Sequence, residues 1–312
     1  MLKFTDQPFM NNIQTISAFH RLLSLPAPTH PLVSVARLQD RKSANDDIWQ
    51  PFSVDFYTIS LKREVRARMK YGQQYYDFDT GIMSFTSPRQ AQLLEMVDES
   101  TAGPQFGKGF VLMLHPDFLR RHPLATTIRN YGFFSYAVNE SLHLSAQEER
   151  NIIDVFRKIE QEGKHIDKHT QPVMLSQIDL LLNYCNRFYE RQFITRKAVN
   201  SDLLMKLEQL LDKWFETNDD FKRSLPTVEY LAGKLNLSPH YLTDMLRALT
   251  GQSTQAHIHE KLIEKAKERL STTTLSVSEI AYELGFEHPQ SFSKLFKAKT
   301  ALSPSAFRES FS

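Results

Sequence analysis

Two rhythms of apolar and polar positions divide this chain. Between residues 30 and 115 the apolar residues come in short β-branched and aromatic runs, at Pro31–Ala36, Val54–Leu61, Gly81–Pro88 and Gly109–Leu114, with turn-prone residues between them. Gly72, Gly81, Gly103, Gly107 and Gly109 punctuate this half, as a short-strand barrel or jelly roll requires. From Ser145 onward the period becomes helical. Ser145 and Glu148 form a capping box ahead of Ile152, Ile153, Phe156 and Ile159. A second helix is predicted from about Thr170 to Arg191. Its Met174, Ile178, Leu181, Cys185 and Phe188 alternate spacings of four and three, which suits either a short coiled-coil seam or a stripe packed on the strands. A third helix begins near Asn200 or Ser201 and sets Leu203, Leu207, Leu210 and Trp214 on one face. The polar segment Glu216-Thr217-Asn218-Asp219-Asp220 then reads as a boundary.

Beyond it lies an internal repeat. The stretch Thr227–Ser238 is matched by Ser276–Glu287 at an offset of 49, and after a one-residue insertion Leu242, Leu246 and Thr250 match Phe292, Phe296 and Thr300 at an offset of 50. A repeat of this length means one supersecondary unit used twice. In the first copy, Val228, Leu231, Ala232 and Leu235 share one stripe of a short helix. Asn236 is suited to a left-handed turn, Ser238 caps a second helix with Pro239 at its first position, and Gly251 stops that helix. Leu242, Met245, Leu246 and Leu249 bury it, leaving His240, Tyr241, Thr243, Asp244 and Arg247 on or near the open face. In the second copy Gly285-Phe286 makes the turn and Phe292, Leu295 and Phe296 are buried, while Gln290, Ser291, Ser293, Lys294 and Lys297 project. A connector helix from Thr254 to Leu270, buried through Ile258, Leu262, Ala266 and Leu270, spaces the two copies. This is the design of a helix-turn-helix, whose second helix lies in the major groove of double-stranded DNA.

Charge adds a local signal. The net charge of +2 says little by itself, but from Lys222 onward there are 12 Lys/Arg against 9 Asp/Glu, a surplus of +3. Between His288 and Arg308 stand Lys294, Lys297, Lys299 and Arg308 with no acid among them, the footprint that phosphate neutralisation needs.

The region from about Leu225 to Arg308 resembles the DNA-binding domain of AraC/XylS-type regulators. The resemblance is carried by Ile280-Ala281-Tyr282-Glu283-Leu284-Gly285-Phe286, by Ser291-Phe292-Ser293-Lys294-Leu295-Phe296-Lys297, and by Leu302-Ser303-Pro304-Ser305-Ala306-Phe307-Arg308. Ala301 stands where the family usually has glycine, and Lys294 where it often has arginine. The lysine keeps the charge but loses a bidentate guanine reader. By position the resemblance implies base readers at His240, Thr243 and Asp244 in the first unit and at Gln290, Ser293 and Lys294 in the second. Gln pairs with adenine bidentately, Lys reads guanine, and Asp244 either accepts from cytosine or repels phosphate. The N-terminal part is similar to the cupin-like sensor domain of such regulators, through Gly81-Ile82-Met83-Ser84-Phe85 with Pro88 and Gln90. The resemblance implies a homodimer formed through the helices after the barrel and a small-molecule effector inside it. Activation would also need a surface facing RNA polymerase, which no residue pattern identifies.

Together these readings predict an α+β chain in three parts: a cupin-like β-barrel sensor at residues 1–144, a helical dimerisation or linker region at 145–218, and an all-α double helix-turn-helix domain at 219–312. A chain of 312 residues is ample for two domains, and 41 % hydrophobic with 24 % charged residues is a globular composition. No stretch reaches the roughly 18–20 uncharged apolar residues of a membrane helix, and Met1–Asp6 opens no secretory signal, so no membrane and a cytoplasmic location are expected. Cys185 is the only cysteine, so an intrachain disulfide is excluded, and on its helix it reads as a small packed hydrophobe. Cupin enzymes hold metal on closely spaced histidines, whereas residues 30–115 carry only His30 and His115; no enzyme, metal or cofactor is expected. His257 and His259, two apart on a helix, face different ways. Phe56, Tyr71, Tyr76, Phe78 and Phe85, with Tyr75, are the aromatics that either line a ligand pocket or fill the barrel core. The competing functions are a ligand-independent DNA-binding protein and a cupin-type enzyme fused to a DNA-binding domain.

Overall fold

The computed structural model describes residues 11–40, 52–63, 69–71, 74–76, 81–90, 92, 108–137, 140–195, 197–216 and 224–310; of 69–71, 74–76, 197–199 and 216 it describes the backbone alone. The expected boundary at 216–220 lies outside them save its first residue. Packing divides the chain into two units, Met1–Gln192 and Phe193–Ser312.

The first unit mixes strands and helices. β1 (Asn11–Ile13) pairs in parallel with β3 (Phe52–Val54), and β5 (Met69–Tyr71) forms a hairpin with β6 (Gln74–Tyr76). The main sheet contains β2 (Val33–Arg37), β4 (Tyr57–Arg63), β7 (Ile82–Thr86), β8 (Lys108–Leu114) and β9 (Leu142–His143), all antiparallel in the order β2-β8-β4-β7-β9. Barrel closure requires every strand to be paired on both sides. Among the described residues β2 and β9 each have one partner, so the sheet is open and the expected cupin-like barrel is not what this pairing forms.

Each face of the sheet has its own cover, as period-two alternation dictates. On one side Ala36, Val111 and Met113 join Phe52, Val54 and Phe56, sealed by Ile16, Phe19 and Leu23 in and just after α1 (Ile16–Leu22). On the other side lie α3 (Ala146–Glu162) and α4 (Thr170–Thr195). Phe110 stacks on Phe156 of α3 at 5.5 Å, and Phe85 meets Tyr189 of α4 at 6.0 Å. Ser145 and Glu148 form the anticipated capping box at the start of α3. The stripe on α4 is fully used within the chain: Met174, Ile178, Leu181, Cys185 and Phe188 are all buried, and Cys185 Sγ lies 3.8 Å from Met83 Sδ on β7. The seam reading is thereby replaced by the packed-stripe reading. Gly109 is needed at a crossing point on β8. Its φ is 150°, and a Cβ there would sit 1.9 Å from the Leu61 carbonyl oxygen, inside any real contact. α2 (Leu124–Thr127) completes the unit.

The second unit, from Phe193, is helical. It comprises α5 (Lys197–Glu216), α6 (Val228–Leu235), α7 (Pro239–Thr250), α8 (Thr254–Thr272), α9 (Val277–Glu283), α10 (Pro289–Thr300) and α11 (Pro304–Glu309). α5 starts earlier than its apolar pattern suggested, and among its described residues the buried apolar ones are Leu207 and Leu211 rather than the whole set Leu203, Leu207, Leu210 and Trp214. α8 is the buried connector: Ile258, Leu262, Ala266 and Leu270 are at most 1 % exposed. Lys261 of α8 pairs with Asp212 of α5 at 2.6 Å.

Candidate nucleic-acid interface

The two helix-turn-helix copies are built by the same local devices. Thr227 caps α6 by accepting from the Tyr230 amide at 3.1 Å, and Ser276 caps α9 in a reciprocal box with Glu279. Such caps contribute roughly 1 kcal/mol each. The turns close alike. Asn236 (φ 56°) and Gly285 (φ 91°) occupy the left-handed region at the same place in the repeat. The Leu237 amide then donates to the Ala232 carbonyl at 2.9 Å, and the Phe286 amide to the Ala281 carbonyl at 3.0 Å, the six-to-one bond of a Schellman end. Pro239 and Pro289 open the second helices, where the missing N–H costs nothing. Both helices end left-handed, at Gly251 (φ 76°) and at Ala301 (φ 65°).

On α7, His240 and Arg247 are exposed, while Thr243 and Asp244 are half-buried. Thr243 Oγ1 lies 3.0 Å from Thr254 Oγ1 at the start of α8, and Asp244 lies 3.6 Å from Arg247 one turn on. Tyr241 is a correction to the open face drawn from sequence. It is 3 % exposed and packs edge-to-face on Phe193 at 5.1 Å, so its ring belongs to the core. On α10, Gln290, Ser291, Lys294, Lys297 and Lys299 are exposed and Ser293 is half-buried. Arg308 leaves the cationic stripe: its guanidinium donates to the Leu270 and Leu275 carbonyls at 3.2 and 2.6 Å, bracing α11 against the end of α8. The face that remains, Lys294, Lys297 and Lys299, is carried by one helix.

Two braces escaped the sequence. Arg269 of α8 pairs with Glu283 of α9 at 2.8 Å, and Thr254, fully buried, anchors Thr243. Their partners stand 14 and 11 residues apart in the chain, so no local pattern marks them. His257 meets Thr250 at 3.0 Å and His259 meets Gln255 at 2.9 Å, two separate surface contacts. Burial first, then Lys299, holds the His259 pKa below the ordinary imidazole value. Among the described residues no three His, Cys, Asp or Glu side chains gather as a metal site.

The aromatics singled out in the first unit are not brought together. Phe56 is fully buried beside Phe19 at 5.6 Å on the α1 side of the sheet, whereas Phe85 packs on Phe133 at 4.5 Å on the α4 side. Tyr71, Tyr75 and Tyr76 lie on the β5–β6 hairpin, described by backbone alone, and Phe78 lies outside the described residues.

A family model for a helix-turn-helix domain matches residues 231–310. The chain is similar to the raffinose operon transcriptional regulatory protein RafR of Pediococcus pentosaceus, with 38 % identity over 84 residues, 27 % of this chain and 30 % of that protein. It is also similar to the HTH-type transcriptional activator AarP of Providencia stuartii, with 33 % identity over 95 residues, 30 % of this chain and 68 % of that one. Among solved structures it matches the C-terminal domain of the response regulator yesN from Fusobacterium nucleatum at 33 % identity and a TM-score of 0.28, covering 32 % of this chain and 96 % of that chain. The chain thus spans under a third of the raffinose regulator's length, but more than two thirds of the activator's. With 68 % of the activator AarP covered at 33 % identity, this chain belongs to the AraC family of helix-turn-helix transcription regulators.

Proposed function

We propose that the chain is a sequence-specific regulator of transcription that reads double-stranded DNA with α7 and α10, each entering the major groove. The observation that carries this is the doubled helix-turn-helix, closed in both copies by a left-handed turn and a six-to-one bond, with two differently decorated second helices. His240, Thr243 and Asp244 read one half-site and Gln290, Ser293 and Lys294 the other, while Arg247, Ser291 and Lys297 contact the backbone. The first unit serves as a sensor for a small-molecule effector. The protein acts as a homodimer in the cytoplasm, so that binding one half-site raises the effective concentration at the next. No described helix is long and apolar enough to cross a membrane.

Selection of the purified chain on a random duplex library at near-physiological salt tests this. The expected product is a bipartite motif whose halves lie about one helical turn apart. His240→Ala and Gln290→Ala should each relax a different half, at about 1–3 kcal/mol of discrimination. Sequence-indifferent, salt-sensitive binding would leave an architectural DNA binder in its place.

A further inference from the structure

Among the described residues β2 is an edge strand, and exposed sheet edges are normally paired or covered. Here the segment after α1 and the C-terminal turn of α3 stand over the edge and leave a cavity of about 130 Å³ between them. Its walls are apolar at Val35, Ile159 and Met174, yet its lining includes His20 and Arg37, and among the described residues each of these side chains keeps one buried polar atom without a hydrogen-bond partner, His20 Nε2 and Arg37 Nε. His20 is 3 % exposed. Its Nδ1 faces the Pro26 carbonyl at 2.5 Å, and a carbonyl only accepts, so Nδ1 carries the proton. Burial keeps the ring neutral, against the weaker opposing pull of that carbonyl, which leaves Nε2 a bare acceptor. Arg37 commits its terminal Nη2 to Glu160 at 2.7 Å, and its Nε–H remains a donor. Asp40 and Lys164 complete the charged lining, so two cations face two anions and the site favours no net charge.

Building on the reading of the first unit as a sensor, we infer that this edge cavity binds a small molecule of zero net charge that offers a donor to His20 Nε2 and an acceptor to Arg37 Nε–H. A cavity of this size takes a molecule of about five to eight heavy atoms, since one of about 150 Å³ takes benzene. Polyols and zwitterionic amino acids share that chemistry. It is a site outside the aromatic set, lined by residues of β2.

The test follows the ring nitrogens of His20 in long-range proton–nitrogen spectra of the full chain. Glycerol and erythritol form one arm, glycine and serine the other, with acetate and methylammonium as singly charged controls. One arm is expected to move the Nε2 resonance saturably. Arg37→Lys, which keeps the charge opposite Glu160 but removes the Nε–H, should weaken that binding about tenfold or more. The inference fails if neither arm shifts Nε2 saturably, if only a charged control does, or if Arg37→Lys binds unchanged. DNA binding measured on the same preparation separates the two readings. Probe binding without DNA binding upholds the site and removes the regulator, and the converse removes the site alone.

Discussion

The two helix-turn-helix copies share a backbone plan and differ in what fills and decorates it. The first is packed mainly with Leu231, Ala232, Leu242, Met245 and Leu246, a largely aliphatic core with a flexible methionine in it and the Tyr241 ring set against Phe193. The second is packed with phenyl rings: Phe286 on Phe292 at 5.5 Å, Phe292 on Phe296 at 5.8 Å, Phe296 on Phe307 at 5.4 Å. Aromatic pairs of this kind add about 0.5–1.5 kcal/mol beyond the area they bury. The surfaces diverge as well. Where α7 has Asp244 paired to Arg247, α10 has Lys294 and Lys297, which form no ion pair among the described residues. The backbone closures tolerate this divergence because they depend on caps and left-handed turns, not on the residues between them. Duplicated units can therefore keep one geometry while separating anchoring from reading.

The largest test of that contrast is in the cores. Phe296→Ala should destabilise the second unit by about 3–5 kcal/mol, and Met245→Ala by about 2–5 kcal/mol, toward its lower end because a flexible chain leaves neighbours better able to close in. Denaturant melts of the two variants compare them directly, and equal costs would erase the distinction between the cores. Next in size is the salt dependence of DNA binding. Each phosphate contact removed should flatten the slope of log affinity against log salt by about 0.9. Replacing Lys297 by Ala should therefore flatten it by about 0.9, whereas Arg247→Ala, whose charge already faces Asp244, should change it by less. A larger effect at Arg247 would reverse the assignment of anchor and reader. The smallest effect concerns the helix ends. Ala301→Gly should stabilise the chain by about 1 kcal/mol and Gly251→Ala should destabilise it by a similar amount, because a Cβ is strained in the left-handed region. Melting midpoints read both, and a neutral Ala301→Gly would mean that the alanine end is unstrained.

Much of the second unit was legible in the sequence because its instructions are local. Asn236, Ser238 with Pro239, and the Ser276–Glu279 box each act within a few residues, so the elements they delimit could be placed before any contact was known. Tyr241 was misplaced because its orientation depends on Phe193, 48 residues earlier, and Arg308 because its carbonyl partners belong to another helix end. The first unit was less legible for the same reason. Strand runs could be named, but the order β2-β8-β4-β7-β9 depends on pairings far apart in the chain, and Gly109 shows its necessity only against Leu61. The α4 stripe illustrates the general limit: spacing revealed an apolar face, and only packing revealed that β7 covers it.

That cover has a practical consequence. The one thiol of the chain is sealed between α4 and β7, and burial pushes its pKa well above the ordinary range, so it is neither reachable nor nucleophilic in the folded protein. A cysteine introduced on the exposed face of α7 or α10 would thus be the sole reactive handle. The native sequence is ready for site-specific fluorophores or spin labels on either of these helices, with no background thiol to remove first.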